Sequence, residues 1–105
     1  MEIECQELCR VLNLFPGICT VESCWGHGRQ PYRIWFTVTD LKYLSDVVYW
    51  FCRYFRLTEW RVEVETDASR CPAYFLIQGP TGDLAYKQSL KVAKQMKKYL
   101  NGEPK

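Results

Sequence analysis

Histidine is nearly absent from this sequence: His27 is the single one in a chain of 105 residues. Structural zinc sites need four ligands and draw them from paired histidines or Cys-x-x-Cys pairs, neither of which occurs here. Long apolar runs are also missing, and none nears the ~20 residues needed to cross a bilayer. Charge of one sign is scarce in excess: 14 basic against 12 acidic residues leave +2, too little for a general nucleic-acid binder. Any anion recognised by such a chain is small and held locally. No stretch is rich enough in Gly, Pro and Ser to serve as a linker, so residues 1–101 read as one domain and 102–105 as a short tail.

What the chain has is apolar and aromatic residues, 48% and 15%, enough to bury a core without help from metal or disulfide. Six cysteines stand at 5, 9, 19, 24, 52 and 71. The opening Met1-Glu2-Ile3-Glu4 is acidic, unlike the basic start of a secretory leader. Cys5 and Cys9 lie one helical turn apart, and Cys52 falls in an apolar helical stripe. Both placements suit cysteine as a small buried hydrophobe, so reduced thiols in a cytoplasmic protein are expected.

Apolar spacing over residues 2–14, stopped by Pro16-Gly17, predicts an opening helix. Ile18–Glu22 and Tyr32–Val38 are β-prone and predict a hairpin. Thr39-Asp40 offers a helix cap before Leu41, Leu44, Val47, Val48, Phe51, Cys52 and Phe55, spaced as one buried helical face. Trp60–Glu65 alternates as a half-buried strand does, and after a turn at 66–72 the run Ala73–Gln78 predicts a more central one. Thr81 or Asp83 then caps a helix with Leu84, Tyr86, Leu90, Ala93, Met96 and Leu100 inward and lysines 87, 91, 94 and 98 outward. The expected fold is α+β in the order αββαββα, a four-stranded antiparallel sheet with helices packed on one face.

The chemistry concentrates in Ser23-Cys24-Trp25-Gly26-His27-Gly28-Arg29, at the tip of the first hairpin. If that tip is the top, the second strand descends, a helix ~24 Å long returns the chain, the third strand descends and the fourth rises. Gly79-Pro80-Thr81-Gly82-Asp83 and the start of the last helix then finish beside His27. A helix start offers free amides and partial positive charge, which with Arg29 suits a phosphate or carboxylate. The candidate ligand-binding residues are therefore Ser23, Cys24, Trp25, Gly26, His27, Gly28, Arg29, Arg33, Trp35, Thr81 and Gly82. Arg33 and Trp35 share a strand face, where they could stack on a base or merely cover apolar surface.

Other readings of the loop stay open. Cys24 and His27 are a metal-capable pair, with Cys19 or Cys71 to complete a zinc set, although no cofactor is expected. The same pair could work as thiol and base in catalysis, for which no third, orienting residue is visible. Gly26 and Gly28 could simply meet positive-φ demands while His27 bonds the backbone. Gly-Pro-Thr-Gly-Asp lacks the lysine of a triphosphate-binding loop, so kinase or ATPase chemistry has no support. Tyr43, Trp50 and Tyr54, off the main stripe of their helix, offer an alternative face for a protein partner or a second copy.

The run from Pro16 through Ser23-Cys24-Trp25-Gly26-His27-Gly28, followed by Pro31 and Ile34-Trp35-Phe36, resembles a family of small phage and prophage proteins of uncharacterised function. Their pattern is Gly-apolar-x-Thr-x-x-Ser-Cys-x-Gly-His-Gly and then an aromatic strand. More faintly, Ser23-Cys24-x-Gly26 is similar to the Ser-Ser-Cys-x-Gly-Arg stretch of the wybutosine-synthesis methyltransferases that act on transfer RNA, with His27 where that family has arginine. In size and in the character of its rim, the chain also looks like the sponge proteins that sequester nucleotide signals of bacterial immunity. These resemblances imply a phage-encoded protein of the host cytoplasm that binds an anionic nucleotide-like molecule as an anti-defence device. The alternative they imply is an enzyme, dependent on Cys24 and His27 or on a metal, that acts on a modified nucleoside or transfer RNA.

Overall fold

The computed structural model describes residues 2–55, 59–67 and 70–103, the side chains of 66–73 excepted. Helix α1 (Ile3–Leu12) precedes strand β1 (Ile18–Cys24), a 3₁₀ turn (Gly26–Gly28), β2 (Arg33–Val38), α2 (Leu41–Tyr54), β3 (Arg61–Asp67), β4 (Arg70–Gln78) and α3 (Gly82–Leu100). The order is the one expected, with the 3₁₀ turn added at the hairpin tip. Strands β3 and β4 run further than their apolar patterns suggest, pairing out to Asp67 and Arg70 where a longer turn was expected.

All strand pairs are antiparallel, and the spatial order is β1-β2-β4-β3. β4, the most apolar strand, lies between β2 and β3, as its composition requires of a strand flanked on both edges. Since β2 and β3 both oppose β4, they run in the same direction, and α2 carries the chain back between them. The β1–β2 register shifts between Thr20 and Glu22, which leaves Val21 45% exposed.

One face of the sheet carries the helices. Ile18, Ile34, Phe36 and Ile77 join Leu8, Val11, Leu12, Val47, Phe51, Val92 and Met96 in a single buried cluster. Alternation sends Arg33 and Trp35 to the opposite, helix-free face, where Leu76 is 7% exposed yet outside that cluster. At the centre of the core Trp60 lies 5.3 Å from Phe51, 5.6 Å from Phe55 and 5.4 Å from Tyr32, ring centre to ring centre. Its indole N–H donates to Gln88 Oε1 at 2.7 Å, so this large side chain is buried with its polar atom satisfied.

Helix phases differ from the sequence pattern in instructive ways. In α2 the Asp40 carboxylate accepts from the Lys42 amide at 3.0 Å, the cap expected. Leu41 and Cys52, however, face solvent, while Trp50, expected off the stripe, is buried. Trp50 stacks on Tyr54 and tilts against Tyr99 of α3; an aromatic partner on the next helix outweighs the pull of a leucine at the helix start. In α3 the buried residues are Ala85, Ser89, Val92, Ala93 and Met96. Leu84 and Leu90, expected inward, are 55% and 38% exposed. Small side chains on that stripe let α3 approach α1 and the sheet closely, and larger leucines in their place would hold it off. Val64 likewise shares the inner face of β3 but is 62% exposed. Past α3, the amides of Gly102 and Glu103 bond back to Tyr99 and Lys98, closing the helix end.

Candidate functional site

The loop after β1 and the loop before α3 meet at one end of the sheet. Arg33 pairs with Gln78 across β2 and β4. Beyond that rung, the Gly79 amide donates to the Tyr32 carbonyl at 2.8 Å and the Tyr32 amide to the Pro80 carbonyl at 3.0 Å. The indole N–H of Trp25 donates to the Gly82 carbonyl at 3.2 Å, and a Cβ built on Gly82 would lie 3.8 Å from the Gly28 carbonyl oxygen. The strand directions inferred from connectivity therefore place these two loops together.

Backbone conformation explains the local sequence. Gly26, His27 and Gly28 have φ of +80°, +53° and +79°, three successive residues in the left-handed region. Glycine adopts it freely, and a histidine only at a cost. The turn is pinned by the amides of Arg29 and Gln30, which both donate to the Gly26 carbonyl at 3.0 Å. His27, Gly28 and Arg29 are exposed around it.

The candidate residues divide into groups. Trp25, half-buried against the core, braces the two loops. Ser23 lies inward, within hydrogen-bonding reach of the buried thiols of Cys5 and Cys9, so its hydroxyl serves the core. Burial pushes the Cys5 thiol up to about 11, and burial raises the Cys9 thiol and the Tyr32 hydroxyl as well. Tyr32 donates to the Glu4 carbonyl at 2.9 Å. These groups stay protonated and inert at neutral pH. Arg33 and Trp35 sit on the helix-free face, the guanidinium carbon 5.5 Å from the indole centre. The Trp35 N–H donates to Glu65 Oε2 at 2.9 Å, and Arg33 Nε is buried without a hydrogen-bond partner among the described residues. His27, Gly28, Arg29, Thr81 and Gly82 are left at the rim.

Thr81 occupies the cap position of α3, yet its side chain makes no capping hydrogen bond. The free amides of the first turn thus keep their bonding capacity. Asp83 sits in that same turn and offsets part of its positive potential.

Glu2 is the residue that sequence spacing did not reveal. Its Oε1 accepts from the Trp25 amide at 3.0 Å, and its Oε2 lies 3.7 Å from His27 Nδ1. With Cys24 it forms a trio whose ligand-capable atoms lie within 4.8 Å of one another. Nothing in the local pattern connects Glu2 with a loop more than twenty residues later; the folding of α1 against β1 does so. Cys19 is exposed, its thiol 3.7 Å from the Thr20 carbonyl, and it is not part of the trio. The Cys71 side chain lies outside the described residues.

A hollow of about 500 Å³ lies at the opposite end of the molecule, lined by Leu14, Pro16, Tyr43, Tyr99, Leu100 and Asn101. None of the loop residues lines it. Among the described residues none of those lining it is a cation, so an anionic ligand has less to hold it there than at the rim. On the aromatic face of α2, Trp50 is buried, while Tyr43 and Tyr54 are half-buried against the core. Among the described residues no helix is long and apolar enough to cross a membrane.

The fold and the rim define a small α+β domain with a glycine-framed loop docked on a helix start. No protein-family model, curated protein or solved structure matches the chain.

Proposed function

We propose that this protein binds a small anionic, nucleotide-like ligand at the rim shared by the Trp25–Arg29 loop and the start of α3. The observation that carries this reading is the docking of the two loops, with exposed His27 and Arg29 beside a helix start whose cap residue makes no side-chain bond. In this reading the first-turn amides and Arg29 hold the anion, His27 donates to it, and Gly28 allows the backbone to approach. Trp35 and Arg33 supply a stacking surface on the neighbouring sheet face. Capture without turnover would make the protein a sequestering device of the phage anti-defence kind, working in the host cytoplasm.

The test is calorimetric titration with a panel of mono-, di- and cyclic nucleotides, with inorganic phosphate as the minimal anion. A nucleotide binds the wild type and binds R29A and H27A at least several-fold more weakly. Equal binding by H27A removes the imidazole from the site, and no binding by any member of the panel overturns the reading. Conversion of a bound nucleotide to product, lost in C24A, would move the protein to the enzyme class.

A further inference from the structure

We propose that Glu2, Cys24 and His27 form a mononuclear site for a zinc-class divalent cation, with a fourth position open to water. The site shares His27 with the nucleotide reading, engaging it through Nδ1, and would stand without that reading.

The donor set is the first reason. A thiolate, an imidazole and a carboxylate are the three side-chain ligands zinc takes, and three protein ligands with one open position is the pattern of a reactive rather than a structural zinc. The thiolate and carboxylate together carry two negative charges, matching a dication and leaving the bound site neutral.

Geometry separates this reading from a thiol–imidazole catalytic pair oriented by Glu2. In a catalytic relay the nucleophile and the carboxylate address opposite ring nitrogens and therefore stand roughly 7 Å apart. Here the Cys24 sulfur, the His27 nitrogen and the Glu2 oxygen are all within 4.8 Å of one another. Separations this small leave no room for the imidazole to stand between the thiol and the carboxylate, as a relay requires. Tetrahedral bonds of about 2.0–2.2 Å separate a nitrogen from an oxygen ligand by roughly 3.3–3.6 Å; the 3.7 Å between His27 Nδ1 and Glu2 Oε2 lies just outside that span, and the trio as a whole, within 4.8 Å, closes onto an ion by side-chain rotation.

The surroundings are also those of a ligand set held in place. The Trp25 amide fixes one oxygen of Glu2 at 3.0 Å, as outer partners commonly orient a coordinating carboxylate. His27 holds φ +53° between two left-handed glycines. A non-glycine residue kept in that region within a pinned turn is the kind of backbone strain that collects at binding sites. All three side chains are half-buried or exposed, so an ion can reach them.

Titration of the metal-stripped full-length protein with Co²⁺ alone tests the site. One equivalent is expected to produce a thiolate-to-cobalt charge-transfer band and the visible bands of four-coordinate cobalt, both displaced by Zn²⁺. C24S, with an unchanged far-ultraviolet circular dichroism spectrum, loses the charge-transfer band. E2Q and H27G weaken binding roughly tenfold or more, as removal of a ligand requires. A wild type without the band overturns the proposal. So does a band that survives in C24S, which would assign the cobalt to another thiol such as Cys19 or Cys52.

Discussion

The indole N–H of Trp25 donates to the carbonyl of Gly82, 57 residues away, across 3.2 Å. This bond fastens the tip of the first hairpin to the start of the last helix. A half-buried hydrogen bond of this kind contributes about 1 kcal/mol. Replacing Trp25 with Phe keeps most of the ring and removes the donor. The expected result is a loss near that size, with faster amide exchange confined to the first turn of α3 and to residues 26–30. Unchanged exchange at both places would show that the loops hold their positions without the bond.

Gly79 is required by close approach. A Cβ at this position would lie 2.7 Å from three atoms of the Trp60 ring, and that ring is 1% exposed and packed among Phe51, Phe55 and Tyr32. The ring has nowhere to move. G79A should therefore cost about 1–3 kcal/mol, the usual range for overpacking a core, measured by urea unfolding. A neutral result would mean that the Trp60 environment repacks.

His27 is held at φ +53°, a conformation costing an L-residue roughly 1–2 kcal/mol. H27G relieves that strain, while H27A retains it. H27G should unfold at the same temperature as the wild type or higher, because part of the gain offsets the greater flexibility of glycine in the unfolded chain. H27A should unfold no higher than the wild type. With this ranking, binding lost in H27G reports the imidazole and not a damaged fold. An H27G melting temperature well below that of H27A would contradict the strain.

Stability should fall in alkaline solution. Burial pushes the Cys5 thiol from 9.0 to about 11, and burial raises Cys9 and Tyr32 in the same direction. The folded thiol keeps its proton to higher pH than the unfolded one. Its contribution is therefore complete below pH 9.0 and is lost as pH rises toward about 11, by about 3 kcal/mol for Cys5. Urea unfolding at steps across this window should show the decline, shallower in C5A. A C5A profile parallel to that of the wild type would remove Cys5 as the source.

Much of this architecture is written in local pattern. Alternation in Arg61–Glu65, the Asp40 cap and the Pro16-Gly17 stop report their own elements, because side-chain direction repeats every two residues in a strand and every 3.6 in a helix. Connectivity then places the His27 loop and the Gly79–Asp83 loop at one end, since antiparallel neighbours and a returning helix leave few alternatives. Gly26 and Gly28 mark the left-handed turn by residue type alone.

Contacts between distant elements decided the rest. Trp50 is buried and Leu41 exposed because Tyr99 of α3 meets one and no described element covers the other. Leu84 and Leu90 yield the inner stripe of α3 to Ala85, Ser89 and Ala93 because the close approach of the helices admits only small side chains there. Ser23 turns to the thiols of α1 and leaves the rim, and Trp25 becomes a brace. Glu2 reaches Cys24 and His27 only when α1 packs on β1. Periodicity records which way a side chain points from its own backbone; what it meets depends on the rotation and spacing of elements far apart in the chain, which only tertiary packing sets.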